Sequence, residues 1–573
     1  MRALLKRSTA ILLAVHLALP VLPAQAEGLA GAYLAGRQAR YDADFKVAAE
    51  YYTKALTRDM TNPALMESVV LSNLALGRID RALPVARKME SEGLKSQISH
   101  MVLLADEAAN RDFDALLKRV DDKRGIGTLI DGLIRAWALL GKGAMADAVA
   151  TFDKVSEEKG QRGFGLYHKS LALALVGDFE SAEAILGATG PGSAVQTRRG
   201  VIARVQVLSQ LEKDDEALKV LDDSFGTSLD PELRALREAL LRGDTLDFTL
   251  VGNAQQGMAE VLYTVAGALR GEARNTNTLL FSRMAEHLDP SHVDAILLSA
   301  ELLDGLEQYD LATETFRRVP RGHGAYHAAE LGRADALRKA GKEDAAIEVL
   351  HQLADSHGDL PVVHTTLGDM MRMLDRFEEA IEAYDHALAL YGEERNGKWF
   401  LYYARGISHE RMGDWPKAEA DFRTALKIQP GRPEVLNYLG YSMVEKKQNL
   451  DEALAMIEEA VAARPNSGYI VDSLGWVLYR LGRYDEAVGH METAVELMPV
   501  DPIVNDHLGD VYWAVGRHLE ARFQWKRALS FVDFGEAAED ADPDRIRRKL
   551  EVGLDVVLEE EGAPPLKVAG EDG

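Results

Sequence analysis

The 573-residue sequence contains no cysteine. Disulfides, thiolate metal sites, cysteine nucleophiles and the lipid-modified cysteine of bacterial lipoproteins are thereby excluded, so no lipid anchor is expected. Positive charge is also scarce. With 66 Lys and Arg against 91 Asp and Glu the net charge is −25, which repels nucleic acid and anionic lipid and leaves basic proteins as partners. There is no nucleophile elbow of the G-x-S-x-G kind, no H-E-x-x-H helix and no phosphate-cradling loop. The expectation is a chain that is not an enzyme and needs no cofactor or metal. Two weaker patterns remain. Ser156 and Lys159 form a lone S-x-x-K at the polar end of a helix, where solvated surface is the plainer reading. His323, His327 and Glu330 have a spacing that could put three ligands on one helix face, but histidines four apart are common by chance and surface exposure or interhelical packing is the plainer reading.

Long apolar runs are missing as well. The run from Ala10 to Leu22 is shorter than the roughly 20 residues a membrane-spanning helix needs. Arg2, Lys6 and Arg7 precede it and Ala24-Gln25-Ala26 follows, so residues 1–26 read as a cleaved export signal. Losing those three cations takes the net charge from −25 to −28. The expected location is the periplasm of a Gram-negative bacterium.

What the chain has in abundance is a repeat. Gly368, Gly406, Gly440, Gly475 and Gly509 occur at one position, followed by the pairs Ala380/Ala387, Ala418/Ala425, Ala453/Ala460, Ala487/Ala494 and Ala521/Ala528. Within one unit, "DSLGWVLYRLGRYDEAVGHMETAVELMP", Leu474, Leu478 and Leu481 follow helical spacing and Gly482 stops the helix. Asp485 and Glu486 open a second helix that Pro499 ends. Each unit is a helical hairpin of about 34 residues. Glycine costs a helix roughly 1 kcal/mol against alanine, so its recurrence predicts close approach of the paired helix. The pattern weakens upstream, with a fair unit at Gly36, Ala48, Tyr52 and Ala55 and irregular spacing from Leu65 to Val220.

These residues resemble the tetratricopeptide repeat. The resemblance implies an all-α, right-handed α-solenoid of tandem hairpins, roughly fourteen of them, in which repeats contact only their neighbours. The expected organisation is an N-terminal arc over 27–243, an irregular connection over 244–256, a C-terminal arc over 257–534, a capping helix region over 535–558 and an acidic disordered tail over 559–573. In the capping region Ile546, Leu550, Leu554 and Val557 form one apolar stripe, suited to sealing the last repeat or to an interaction helix.

In hairpins of this family the residues facing the partner helix would be Val471, Leu474, Gly475 and Leu478, whereas Trp476, Tyr479 and Arg480 would line the concave groove. The neighbouring units put Asn437, Tyr441 and Glu445, then Asp506, Asp510 and Trp513, on the same side. With Asp472, these residues form a candidate protein-binding groove of aromatics and carboxylates, the aromatic and Arg side chains being the usual binding anchors. Burial between adjacent first helices is the alternative role. The family's clamp for a C-terminal carboxylate uses lysines and asparagines, and the acidic Asp472, Asp506 and Asp510 stand in those places here, so that ligand does not carry over.

The final units, "DSLGWVLYRLGRYDEAV" and "DHLGDVYWAVGRHLEARFQWKRAL", resemble large periplasmic tetratricopeptide adaptors of Gram-negative bacteria that bind a carboxyl-terminal processing protease. That resemblance implies an exported scaffold presenting substrate proteins to a protease. The alternative is a scaffold for assembly or export of a cell-envelope complex or polysaccharide.

Overall fold

The computed structural model describes residues 29–566 except 191, 227–228, 392–396 and 533–540; the expected export signal lies outside the described residues. Among the described residues there are 31 α-helices and no strand, arranged as tandem antiparallel hairpins. The chain is thus an all-α array of the expected solenoid type. It forms two compact units that part between Leu353 and Ala354.

In the second unit five hairpins follow one another, from Pro361–Met373 with Phe377–Leu390 to Pro502–Ala514 with His518–Phe531. The repeat residues explain the packing. All ten paired alanines from Ala380 to Ala528 are fully buried. A Cβ added at Gly368, Gly406, Gly440, Gly475 or Gly509 would lie 2.4–2.8 Å from Tyr384, Phe422, Ile457, Met491 or Trp525, each on the second helix of the same hairpin. The glycines therefore mark helix crossings. Gly482, at φ +75°, supplies the left-handed turn between the Gly468–Arg480 and Tyr484–Leu497 helices.

The crossings should differ in tolerance. At Gly475 the obstacle is the flexible chain of Met491, and at Gly509 it is the indole of Trp525, held to Asp510 Oδ1 by a 2.9 Å bond from Nε1. Gly509→Ala is expected to cost about 1–3 kcal/mol by overpacking, whereas Gly475→Ala should come near neutral as helix propensity offsets the crowding. Urea midpoints of the two variants test this, and equal midpoints would refute it.

Among the described residues the first unit holds eight packed hairpins, a single helix, Pro231–Arg242, and the helix Tyr326–Lys339, while Glu343–Ser356 runs across its end. It departs from a chain of neighbour-only contacts. The irregular connection is present as non-helical chain between Arg242 and Asn253, fastened to the Arg198–Gln210 helix by bonds such as Leu246 N–H to Ser209 Oγ (3.0 Å) and Thr249 N–H to Gln206 Oε1 (2.9 Å). It does not divide the fold there. The next helix, Ala254–Leu269, packs on Gln97–Ala109, Thr128–Gly141 and Arg162–Leu175, and Asn275–Leu288 packs on Pro63–Ala75 and Gln97–Ala109. This hairpin thus lies across the first helices of the earlier hairpins.

Particular residues permit that return. A Cβ at Gly257 would lie 2.3 Å from the fully buried Trp137, so only glycine lets the helix rest on that indole. Arg283 donates from Nε to the carbonyl of Ala75 (3.3 Å) and from Nη2 to Thr315 Oγ1 (3.1 Å). The expected boundary at 244–256 consequently falls inside one compact unit.

Candidate functional site

The nine candidate groove residues lie on three successive first helices of the second unit: Pro433–Glu445, Gly468–Arg480 and Pro502–Ala514. Trp476 is only 8% exposed. Its ring stacks on His507 (centroids 3.9 Å) and on Tyr479 (4.8 Å), and its Nε1 donates to Glu445 Oε1 at 2.8 Å. Asp472 is buried and meets His507 Nδ1 at 3.0 Å. Burial opposes a charge on His507, but Asp472, with Asp506 and Asp510 beyond it, outweighs burial and raises its pKa. Asn437 is buried and its Oδ1 makes no hydrogen bond; Tyr441, Arg480 and Trp513 are part-buried.

The end of the chain packs over part of this set, at Tyr479, Asp506, Asp510 and Trp513. The expected single capping helix is two, Pro543–Val552 and Leu554–Glu560, because Gly553 at φ +89° turns the chain where its backbone rests on Trp513. The apolar stripe is buried as expected: Ile546, Leu554 and Val557 are inaccessible and Leu550 packs against the same core. The second helix runs two residues into the expected tail, to Glu560, and Leu566 packs on the unit's core; residues 567–573 lie outside the described residues.

The unexpected participant is Lys549, which is completely buried. Its Nζ donates to both oxygens of Asp506 (2.8 Å each) and to Asp510 Oδ1 (2.6 Å). Arg545, one turn earlier, reaches Asp510 Oδ2 at 3.5 Å, and Trp513 Nε1 donates to Asp555 Oδ2 at 2.8 Å. Burial pushes the Asp506 carboxyl up and Lys549 opposes it, the neighbouring Asp510 adding to the rise. The acidic positions of the groove thus hold cations from their own chain. Lys549 was legible as the charge inside the stripe Ile546–Leu550, but nothing in the repeat pattern linked it to Asp506 and Asp510.

The side chains of the two weaker sequence patterns take part in local hydrogen bonds and ion pairs. Ser156 is buried and its Oγ donates to the Phe152 carbonyl at 2.9 Å within its own helix. His327 Nδ1 contacts the Gly324 carbonyl at 2.9 Å and Glu330 pairs with Arg333. Among the described residues no three His, Asp or Glu side chains are placed to hold a metal ion.

A second polar cluster fastens the returning hairpin of the first unit. Glu260 is inaccessible and bonds Arg199 (2.8 Å), Tyr167 Oη (2.8 Å) and His292 Nε2 (3.0 Å). Burial would raise its pKa, but Arg199 and His292 hold it well below the carboxylate range. Arg199 also pairs with Asp294 at 2.6 Å. Beside it His168 accepts at Nδ1 from Trp137 Nε1 (3.4 Å), leaving Nε2–H for Thr264 Oγ1 (3.1 Å), and burial depresses its pKa to about 4. Every group has a partner within the unit, so the cluster reads as a fastening.

Two tetratricopeptide-repeat family models match the chain, one over residues 359–431 and the other over 403–468 and 473–544. These matches lie in the second unit, whose hairpins match the tetratricopeptide-repeat pattern. A TPR repeat-containing protein of Pseudomonas aeruginosa is 27% identical over 197 residues, which are 34% of this chain and 32% of that protein. The chain therefore aligns with about a third of the length of that relative. Among solved structures, the APC/C hetero-tetramer Cut9–Hcn1 is matched over 93% of this chain and 97% of that one (15% identity, TM-score 0.37). YrrB, a TPR protein with an unusual peptide-binding site, is matched over 34% of this chain and 97% of its own (19% identity, TM-score 0.27).

Proposed function

We propose that this chain is an exported adaptor of the Gram-negative periplasm that presents substrate proteins to a protease of the carboxyl-terminal processing kind. Tandem tetratricopeptide repeats bind other proteins, and the repeat array makes the chain a protein-interaction scaffold. The adaptor reading needs two surfaces of different character on one molecule. The observation that carries it is the contrast between the units. The first packs its own hairpin across the first helices of its earlier hairpins, whereas the second has aromatics and carboxylates on successive first helices that its own cationic terminal segment occupies. The basic, apolar and small-residue order of residues 1–26 supports export.

Affinity capture of the tagged full-length chain from native periplasm, with partners identified by mass spectrometry, tests the reading. A carboxyl-terminal processing protease should be enriched at least tenfold over an unrelated periplasmic bait. Enrichment of outer-membrane assembly or polysaccharide-export proteins instead would replace the adaptor with the envelope scaffold, and retention of the chain in the cytoplasm would end both readings.

A further inference from the structure

We infer that the terminal helix pair, Pro543–Val552 with Leu554–Glu560, is a displaceable internal ligand, and that the groove it fills is built for a partner's amphipathic helix carrying two cations one turn apart. This deepens the binding-scaffold reading and rests on it only in taking the groove as a recognition surface.

The first argument is the chemistry of the seal. A cap that only covers the last repeat needs apolar side chains, and Ile546, Leu554 and Val557 provide them. Burying an ammonium between two carboxylates gains little over an apolar residue of the same size, while fixing register and orientation. Lys549 on Asp506 and Asp510, with Arg545 beside it, is the arrangement expected of a recognised ligand. The spacing of Arg545 and Lys549, four residues apart on one helix, states the chemistry of the partner: cations at i and i+4 flanking an apolar residue at the place of Ile546.

The second argument is that the receptor side extends beyond what the helix pair satisfies. Asn437 occupies, one repeat earlier, the position that Asp472 and Asp506 hold in later repeats. It is more than nine-tenths buried, and its Oδ1 has no hydrogen-bond partner. The fit of the resident segment is also incomplete, since a cavity of about 320 Å³ remains where Tyr479, Arg480 and Tyr484 face Leu558, Pro565 and Leu566.

The third argument is the cost of release. The two helices have ten and seven residues, short of the length at which isolated helices persist in water, so their order depends on the groove. Arg545 with Glu561 and Arg548 with Glu560 tie one helix to the segment beyond it at exposed positions, where ion pairs contribute little. A partner helix with the same cations replaces every contact that Lys549 makes, and the displaced segment unfolds into solvent.

The experiment uses the full-length chain and a fluorescent synthetic peptide of residues 543–561. Fluorescence polarisation should show the peptide binding the double variant Arg545→Gln/Lys549→Gln at least tenfold more tightly than wild type, whose own segment competes. A peptide carrying the same two substitutions should lose at least tenfold in affinity for the variant. Hydrogen exchange of the wild-type chain gives a reading that does not depend on how the variant folds. Amides of 543–560 should exchange at least tenfold faster than those of the Pro502–Ala514 helix. Equal protection of the two segments, equal peptide affinity for wild type and variant, or failure of the peptide to bind either chain would each make the pair a permanent cap and overturn the proposal. None of these outcomes depends on export or on a protease, so the adaptor reading stands or falls separately.

Discussion

Glu260→Ala is expected to destabilise the first unit by about 3–5 kcal/mol, the usual cost of removing one partner from a buried ion pair. The carboxylate is inaccessible and meets Arg199, Tyr167 and His292 together, so truncation leaves a guanidinium, a phenol and an imidazole facing a cavity. Asp294 keeps one end of Arg199 paired, which limits the loss. Because Glu260 sits on the Ala254–Leu269 helix and its partners Tyr167 and Arg199 on earlier hairpins, the variant should loosen the return of that helix. Denaturation followed by hydrogen exchange should show faster exchange in 254–288 and an unchanged second unit. A loss below about 1 kcal/mol would mean that the cluster contributes no net fastening.

The same cluster sets a pH dependence whose sign follows from its two shifted groups. Glu260 has a depressed folded pKa, so its contribution is present above the unfolded carboxylate value and is lost as pH falls through the acid range. His168 is neutral when folded, with its pKa lowered from 6.5 to about 4, so the unfolded chain binds the proton first. Its contribution is complete above pH 6.5 and declines by about 3 kcal/mol on acidification to pH 4, at 1.36 kcal/mol per unit. The first unit should therefore weaken on acidification from neutral, earlier than carboxylates alone would make it.

Much of this architecture is legible in the sequence, and the limits have physical causes. The glycine and alanine positions of the second unit dictate where helices cross, because a missing Cβ leaves room for one residue sixteen or seventeen places on, such as Trp525 for Gly509. Local spacing therefore suffices for each hairpin. It does not suffice for contacts between distant hairpins. Gly257 and Glu260 look like a loop glycine and a stray charge at the start of an apolar helix. Their roles depend on Trp137, Tyr167 and Arg199, which periodicity cannot pair with them. The groove shows the same division. Family position identifies which side of the helix Trp476, Asp506 and Asp510 occupy, yet whether that side is open depends on Lys549 and Arg545, beyond the last repeat.

Trp476→Ala is the substitution that separates packing from recognition in that groove. With its ring stacked between His507 and Tyr479, its Nε1 on Glu445 and 8% of its surface exposed, Trp476 should cost the second unit about 3–5 kcal/mol when truncated, as buried tryptophans do. Trp476→Phe keeps an aromatic face and removes the bond to Glu445, so its cost should fall to about 1–2 kcal/mol. Trp513 is only part-buried, and its bond to Asp555 is made to the terminal helix pair; Trp513→Ala should therefore cost less than Trp476→Ala and act on the pair more than on the repeats. Urea denaturation gives the ranking, and exchange at residues 543–560 shows which element each variant releases. If Trp476→Ala proved as mild as Trp513→Ala, the stack with His507 would not be part of the unit's core, and Trp476 would belong with the displaceable contacts. If the order holds, the groove has a fixed floor, Trp476 with Tyr479 and the Asp472–His507 pair, on which only the ligand-facing carboxylates Asp506 and Asp510 change partners. A floor of that kind is already ordered before a partner arrives, so a cationic helix taking the place of Lys549 loses little free energy to ordering the receptor.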